Sequence, residues 1–507
     1  MNCIKKSTRI FIYICILIAL TLSPALSTQI TKQLAPGVTL LQDINTDSAS
    51  PLVVNVITLD LNNPTVKIKA TLADDTVYSN DATKGREKVS SITSRRGALV
   101  GINADFFPFT GDPLGMCIID GELISEPSKD KRAALALSKN GTAFFDIPIL
   151  NAKLTLSNNI CRQIDGINRS RESNQIIIYT EAFGSSTETK YKGTDIVLTS
   201  TDLPVQVGKK LNLTVTEVKP DSLNTAIPKG GVVISAGGPA AWFLKENVKP
   251  GDCMSVQFDI KGSTGQDWSQ VNQSVGGGPW LVKDNADIND YAQEGFQPAF
   301  SSTSHPRTAL GMTSDNKLLL ATIDGRQPIS GGISLPNLSA LMRQYGAVNA
   351  INLDGGGSTT LSVKGLIINS PSEGVERPVA NALLVFADQP ALPELPNLSI
   401  SGIPSEVVTG EGAQLFLTWG DESQMLTETQ LDNIIWGTTS GVGFVNQKGY
   451  FTPFKLRKGS INALSGNQSA SFAVRVIEKA PVPVPEQIPE PPLPETLPET
   501  QQPQVSE

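Results

Sequence analysis

The chain has 507 residues, a formal net charge of -8 and a pI near 5.1. That length exceeds one ordinary compact domain and is enough to bury a large core, so at least two domains are expected. The acidic balance, with no Lys/Arg-rich stripe beyond the extreme N-terminus, argues against nucleic acid as a partner, and any anionic substrate must be met by a few placed cations.

Residues 1–27 read as a secretory signal. Lys5, Lys6 and Arg9 precede the apolar run IFIYICILIAL, and Ala25 and Ser27 stand before a cut expected near Thr28. The apolar run is short for a membrane span, an uncleaved anchor being the alternative, and secretion to the extracytoplasmic side follows from the signal reading. Cys3 and Cys15 fall in this segment. That leaves Cys117, Cys161 and Cys253, which allow at most one disulfide, with the pairing open.

From Pro51 the runs LVVNVITLDL and TVKIKATL read as strands with a turn at NNP. GREKVSSITSRRG reads as a short helix stopped at Gly97, and ALVGIN as a buried strand delivering Asn103 and Asp105, with Phe106 and Phe107 behind them. Residues 110–260 hold further β-type runs, among them QIIIYT, DIVLT and GGVVISA. GGGPWLV sets a glycine run beside Trp280, an aromatic of the kind that packs on a sugar face or fills a hairpin.

SHPRTALG contains the chain's one histidine, His305, with Pro306 fixing the backbone and Arg307 offering a bidentate anion clamp. LLLATIDGR is expected to be a strand ending at Asp324 and Arg326, PNLSALMRQYG a helix ending at Gly346, and AVNAINLDGGG a second strand with Asn352 and Asp354 at its tip. If the two strands are parallel, Asp324 and Asp354 lie at the same end, where ligands of open sheets gather.

After Asp354 come Gly355, Gly356, Gly357 and Ser358. Three glycines bring backbone N–H groups close to a ligand, or simply make a tight turn, and no Lys follows to complete a P-loop. ERPVAN adds Glu376 and Arg377. A Pro-rich linker at 389–396, short strands with regular turn signals over 397–478, and a Pro/Glu-rich tail at 479–507 expected to be disordered complete the chain.

In order, INADFF, GGGPWLV, HPRTALG, the block from Thr322 to Leu361, and RPVAN resemble the phosphodiester glycosidase family over roughly residues 50–388. The resemblance implies an active site drawn from Asn103, Asp105, His305, Arg307, Asp324, Arg326, Asp354 and Arg377, with no cofactor required. It implies hydrolysis of the bond between a sugar anomeric carbon and a phosphodiester but assigns no roles; on chemical grounds Asp354 is the first candidate to stabilise charge at the anomeric carbon or activate water, and Asp105 or Asp324 the second. Segment 396–478, through GFVNQKGYFTPF and INALSGN, resembles bacterial immunoglobulin-like domains and implies surface positioning or cell-envelope association.

The expected fold is thus α+β: a β-rich mixed-sheet catalytic domain over 28–388 with a few helices, then a small all-β immunoglobulin-like sandwich and the tail. The expected partner is a sugar phosphate or glycan. A bound Ca²⁺ would suit so many carboxylates and carbonyls. Hydrolysis of uncharged or uronic-acid polysaccharide, attack at phosphorus, and plain surface glycan binding remain alternatives, and the sequence leaves the sugar and the oligomeric state open.

Overall fold

A computed structural model describes residues 28–46, 49–421 and 423–479. Residues 1–27, expected to be a signal segment, and all but the first residue of the expected tail lie outside the described residues. Nine elements position the site: β1 (Thr28–Ala35), β2 (Val38–Asn45), β3 (Leu52–Asp60), β4 (Val100–Asn103), β5 (Trp280–Lys283), β6 (Arg307–Thr313), β7 (Lys317–Ile323), α1 (Leu335–Gln344) and β8 (Ala347–Asn352).

The central sheet runs β1-β2-β3-β7-β6-β8-β5 and ends on the short edge Ala286–Asp287. Its pairings are antiparallel throughout. Because β6 lies between them, β7 and β8 run parallel to each other without touching. The expected strand, helix, strand unit is present, with an antiparallel strand inserted between its two strands. As a result the ends of β7 and β8 and the start of β6 share one edge of the sheet.

Alternation along β7 shows why LLLATI is apolar throughout. Leu318 and Leu320 enter one core, with Leu310 and Ile351 of the same sheet and Val100, Ile102 and Leu383 of a second sheet. Leu319, Ala321 and Ile323 enter another core on the opposite face, under Leu335, Leu338 and Met342 of α1. A strand buried on both faces reads as one continuous apolar run, and each large aliphatic side chain so buried contributes about 1.5–3 kcal/mol.

The second sheet is five-stranded. It places β4 between Leu361–Val363 and Asn381–Phe386, so Asn103 at the end of β4 meets the loop that follows β8. The runs in 110–260 divide. Those up to Asp146 join Val271–Gly276 in another five-stranded sheet, while Pro148–Gly262 builds an eight-stranded sheet with its own core around Ile178, Ile196, Leu213 and Phe258. Cys117, Cys161 and Cys253 are all free thiols, the first buried and the other two exposed.

Beyond the linker, residues 399–477 form three small sheets and one short helix, Glu428–Asp432, around a separate core that includes Trp436, Phe451 and Ile461. This unit packs against the larger one. Gln447 N–H donates to Gln42 Oε1 at 2.8 Å, Lys32 Nζ donates to Leu431 O at 2.7 Å, and Phe444 clusters with Val53 and Ile329.

Candidate active site

Four chain segments converge at the shared edge: the start of β6, the ends of β7 and β8, and the end of β4. Asn103 locks them together. Its Nδ2 donates to Asp354 O at 2.7 Å, and its Oδ1 accepts from Thr308 Oγ1 at 2.8 Å and from Thr360 N–H at 3.1 Å. It is fully buried, so its role is to hold the Asp354 loop against β6.

Asp354 is partly exposed, unlike the residues just before it. Gly355 N–H donates to its Oδ1 at 2.9 Å, and Ser358 and Arg377 also favour its charged form, but burial of the carboxyl outweighs them and pushes it up to about 6. The glycines after it are required by close approach. A Cβ on Gly355 would lie 2.8 Å from Pro306 O, one on Gly356 would lie 3.3 Å from an Arg326 guanidinium nitrogen, and one on Gly357 would collide with Arg377 and Glu373. Gly356 also has a φ of 62°, where a side chain is strained.

Cations surround this loop. Arg307 is 1% exposed. Its Nε donates to Ile333 O at 3.2 Å and its Nη2 to Phe300 O and Thr303 O at 2.6 and 3.1 Å, with its guanidinium carbon 4.7 Å from the centre of the Phe300 ring. No carboxylate pairs with it among the described residues. Burial and the neighbouring Arg326 charge lower it to about 10. Arg326, itself at φ 59°, reaches His305 Nδ1 at 3.2 Å. Burial, Arg307 and Arg326 hold His305 below its ordinary value. Arg377 Nη1 lies 3.5 Å from Ser358 Oγ, and its other nitrogens pair with Glu373.

The two remaining carboxylates are enclosed. Asp105 accepts Phe106 N–H and Gly115 N–H, both at 2.7 Å, while burial outweighs those bonds and, with the Asp354 charge, raises it to about 7. Asp324 accepts Asn369 Nδ2 at 3.0 Å and Ser370 N–H at 3.0 and 3.1 Å, is fully buried, and is raised to about 7 by that burial. It therefore clamps the 369–370 turn and presents no free face.

Two expected binding residues point elsewhere. Trp280 is 4% exposed within the core, its Nε1 donating to Val282 O at 2.6 Å, so it fills a hairpin and offers no face to a sugar. Asn352 is buried and donates to Gly278 O at 2.9 Å and Leu353 O at 2.6 Å, while its Oδ1 has no partner. Glu376 accepts Ser90 N–H at 2.8 Å at the start of the helix Val89–Arg95, a structural role. Sequence reasoning missed Glu373, the partner of Arg377, and the Asn369–Ser370 clamp. Among the described residues no three His, Cys, Asp or Glu side chains gather as a metal-ligand set.

This edge thus gathers one carboxylate on a partly exposed residue, a glycine loop and four cationic or titratable nitrogen side chains, an arrangement suited to an anionic substrate. Residues 206–386 match the family model described as phosphodiester glycosidase. The match begins inside the second eight-stranded sheet, so β1–β4 complete the same fold from outside it.

Over 112 residues the chain is 38% identical to the SPbeta prophage-derived protein YomE of Bacillus subtilis, covering 21% of this chain and 16% of that protein. Over 110 residues it is 36% identical to N-acetylglucosamine-1-phosphodiester alpha-N-acetylglucosaminidase of Mus musculus, covering 20% of this chain and 21% of that enzyme. The matches therefore span about a fifth or less of these relatives' own length. Two crystal structures share the fold. A Synechocystis protein aligns with TM-score 0.60 at 22% identity over 71% of this chain and 64% of its own. A Burkholderia pseudomallei protein aligns with TM-score 0.57 at 24% identity over 67% and 74%.

Proposed function

We propose that this protein hydrolyses the bond between a sugar anomeric carbon and a phosphodiester, releasing the free sugar and a phosphomonoester. The observation that carries this reading is Arg307, a buried guanidinium without a carboxylate partner, whose backbone and Cδ pack against Gly355, the residue after the partly exposed Asp354. The carbonyl partners of Arg307 and the Phe300 ring give it no counter-charge; a buried charge without one is costly, and a substrate phosphate would supply it on binding.

The chemistry fits the leaving group. An ordinary glycosidase protonates an alkoxide whose conjugate acid is nearly as weak as water, with a pKa of about 15.7, whereas a phosphate monoester has its second pKa at about 6. Departure then needs charge stabilisation more than a proton. Arg307, Arg326, Arg377 and His305 supply it, and one such donor contributes roughly 3–4 kcal/mol. Asp354, held near 6 by burial, is mainly ionised at neutral pH and stabilises positive charge at the anomeric carbon or activates water. Asp105, raised to about 7 by burial and by the Asp354 charge, is the second carboxylate.

The extracytoplasmic location expected from residues 1–27, envelope glycans as substrate, and an immunoglobulin-like role for 397–478 belong to the same proposal. The test is to incubate the purified protein with the methyl diester of N-acetylglucosamine 1-phosphate and follow the products by phosphorus NMR. Methyl phosphate and free sugar support the reading. Sugar 1-phosphate and methanol mean attack at phosphorus and overturn it.

A further inference from the structure

The loop from Pro371 to Arg377, which carries one of the site's guanidinium groups, is held from two sides. On its upstream side the catalytic unit holds it: Ser370 N–H is clamped by Asp324, and Gln327 Nε2 donates to Ser370 O and Pro371 O at 2.9 and 3.0 Å. The next carbonyls are held by the C-terminal unit. Lys455 Nζ donates to Ser372 O at 3.2 Å, and Arg457 Nη1 donates to Gly374 O at 3.0 Å and to Ser440 O of its own unit at 2.8 Å.

Gly441 of the C-terminal unit packs so closely that a Cβ on it would lie 2.5 Å from Gly374 O. Lys455 and Arg457 are both half-buried and neither forms an ion pair among the described residues. Half-buried cations without carboxylates are expensive, and here their hydrogen bonds converge on one short loop. Within that loop Glu373 pairs with Arg377, and Arg377 reaches Ser358 beside Asp354. The path from the appended unit to the carboxylate is therefore continuous: Arg457 and Lys455, the 372–374 backbone, Glu373, Arg377, Ser358.

We propose that Lys455 and Arg457 are positioning residues of the active site, so that the C-terminal unit sets where Arg377 stands over the Gly357–Ser358 turn. The catalytic half of this inference rests on the function proposed above, while the structural half does not.

The experiment uses the full chain, because the C-terminal unit shares buried contacts with the rest and its removal would confound folding with positioning. Lys455→Met, Arg457→Met and the double variant are made with Arg377 present and in an Arg377→Met background. Amide hydrogen exchange and kcat/KM on the sugar phosphodiester are both measured. The expected result is exchange at 372–377 faster by about tenfold with β6 and β8 unchanged, and kcat/KM lower by about tenfold, as displacement of a positioning group predicts. The loss should disappear when Arg377 is already Met, and Arg457→Lys should restore part of it. Unchanged exchange in the loop, or an equal loss of activity without Arg377, would overturn the proposal. If the unaltered protein leaves the diester intact, the function proposed above fails, and the exchange data alone decide the positioning.

Discussion

Asp324 and Asp354 leave the parallel strands β7 and β8 at the same sheet edge, with β6 between them, yet their surroundings differ. Asp324 has no exposed surface and spends its carboxylate on Asn369 and Ser370, so it shapes a turn. Asp354 is partly exposed as a residue, has the Gly355 N–H and the Ser358 side chain as partners, and faces cations across a glycine loop. Residue type and strand position are equal in the two cases. What separates them is whether the partners are supplied by the protein or left to a ligand.

The comparison breaks most sharply under substitution. Asp354→Asn should lower kcat roughly 10³-fold, as loss of a group acting on the reacting atoms does, while thermal unfolding stays close to the unaltered protein. A loss of only a few-fold in a folded variant would remove Asp354 from the chemistry. Asp324→Ala should do the reverse. It leaves buried donors on Asn369 and Ser370 unpaired, at about 1–3 kcal/mol each, so urea unfolding should show a loss of a few kcal/mol, with the turnover of the folded fraction changed less than for Asp354→Asn.

Acidity sharpens the same contrast. Asp105 and Asp324 stand at about 7 and Asp354 at about 6, all above the ordinary 3.8. Groups that hold protons more tightly when folded add stability that is full below about pH 4 and is lost as pH rises through 6 and 7. Unfolding free energy should therefore fall across that window, whereas activity, needing ionised Asp354, should rise with pH through about 6. An acid limb near pH 4 would point to a different carboxylate. The smallest effect is expected at Trp280→Phe, which removes one buried hydrogen bond worth about 1 kcal/mol and leaves KM unchanged. A raised KM would restore Trp280 as a sugar platform.

Much of the fold was legible in the sequence because burial writes a pattern. The apolar runs at Leu52, Val100, Leu318 and Ala347 became strands, and helices stopped at Gly97 and close to Gly346. The glycine loop and its cations were legible too, since few ordinary turns need that composition. Which carboxylate is open was not, because exposure depends on partners such as Asn369, a sequence-distant turn with no periodic signal. Trp280 misled for the same reason: an aromatic beside glycines looks alike whether it faces solvent or the core. Lys455 and Arg457 were invisible because reading the C-terminal unit as a separate module removes any cause to join it to residues 371–377.

The most direct test of the proposed chemistry is turnover of the sugar phosphodiester in ¹⁸O-labelled water, with the products weighed by mass spectrometry. The label should appear in the released sugar and be absent from the phosphomonoester, as cleavage of the anomeric carbon–oxygen bond requires. Label in the phosphate would place the attack at phosphorus, and neither Asp354 at the anomeric carbon nor the cations around the departing phosphate could then act as proposed.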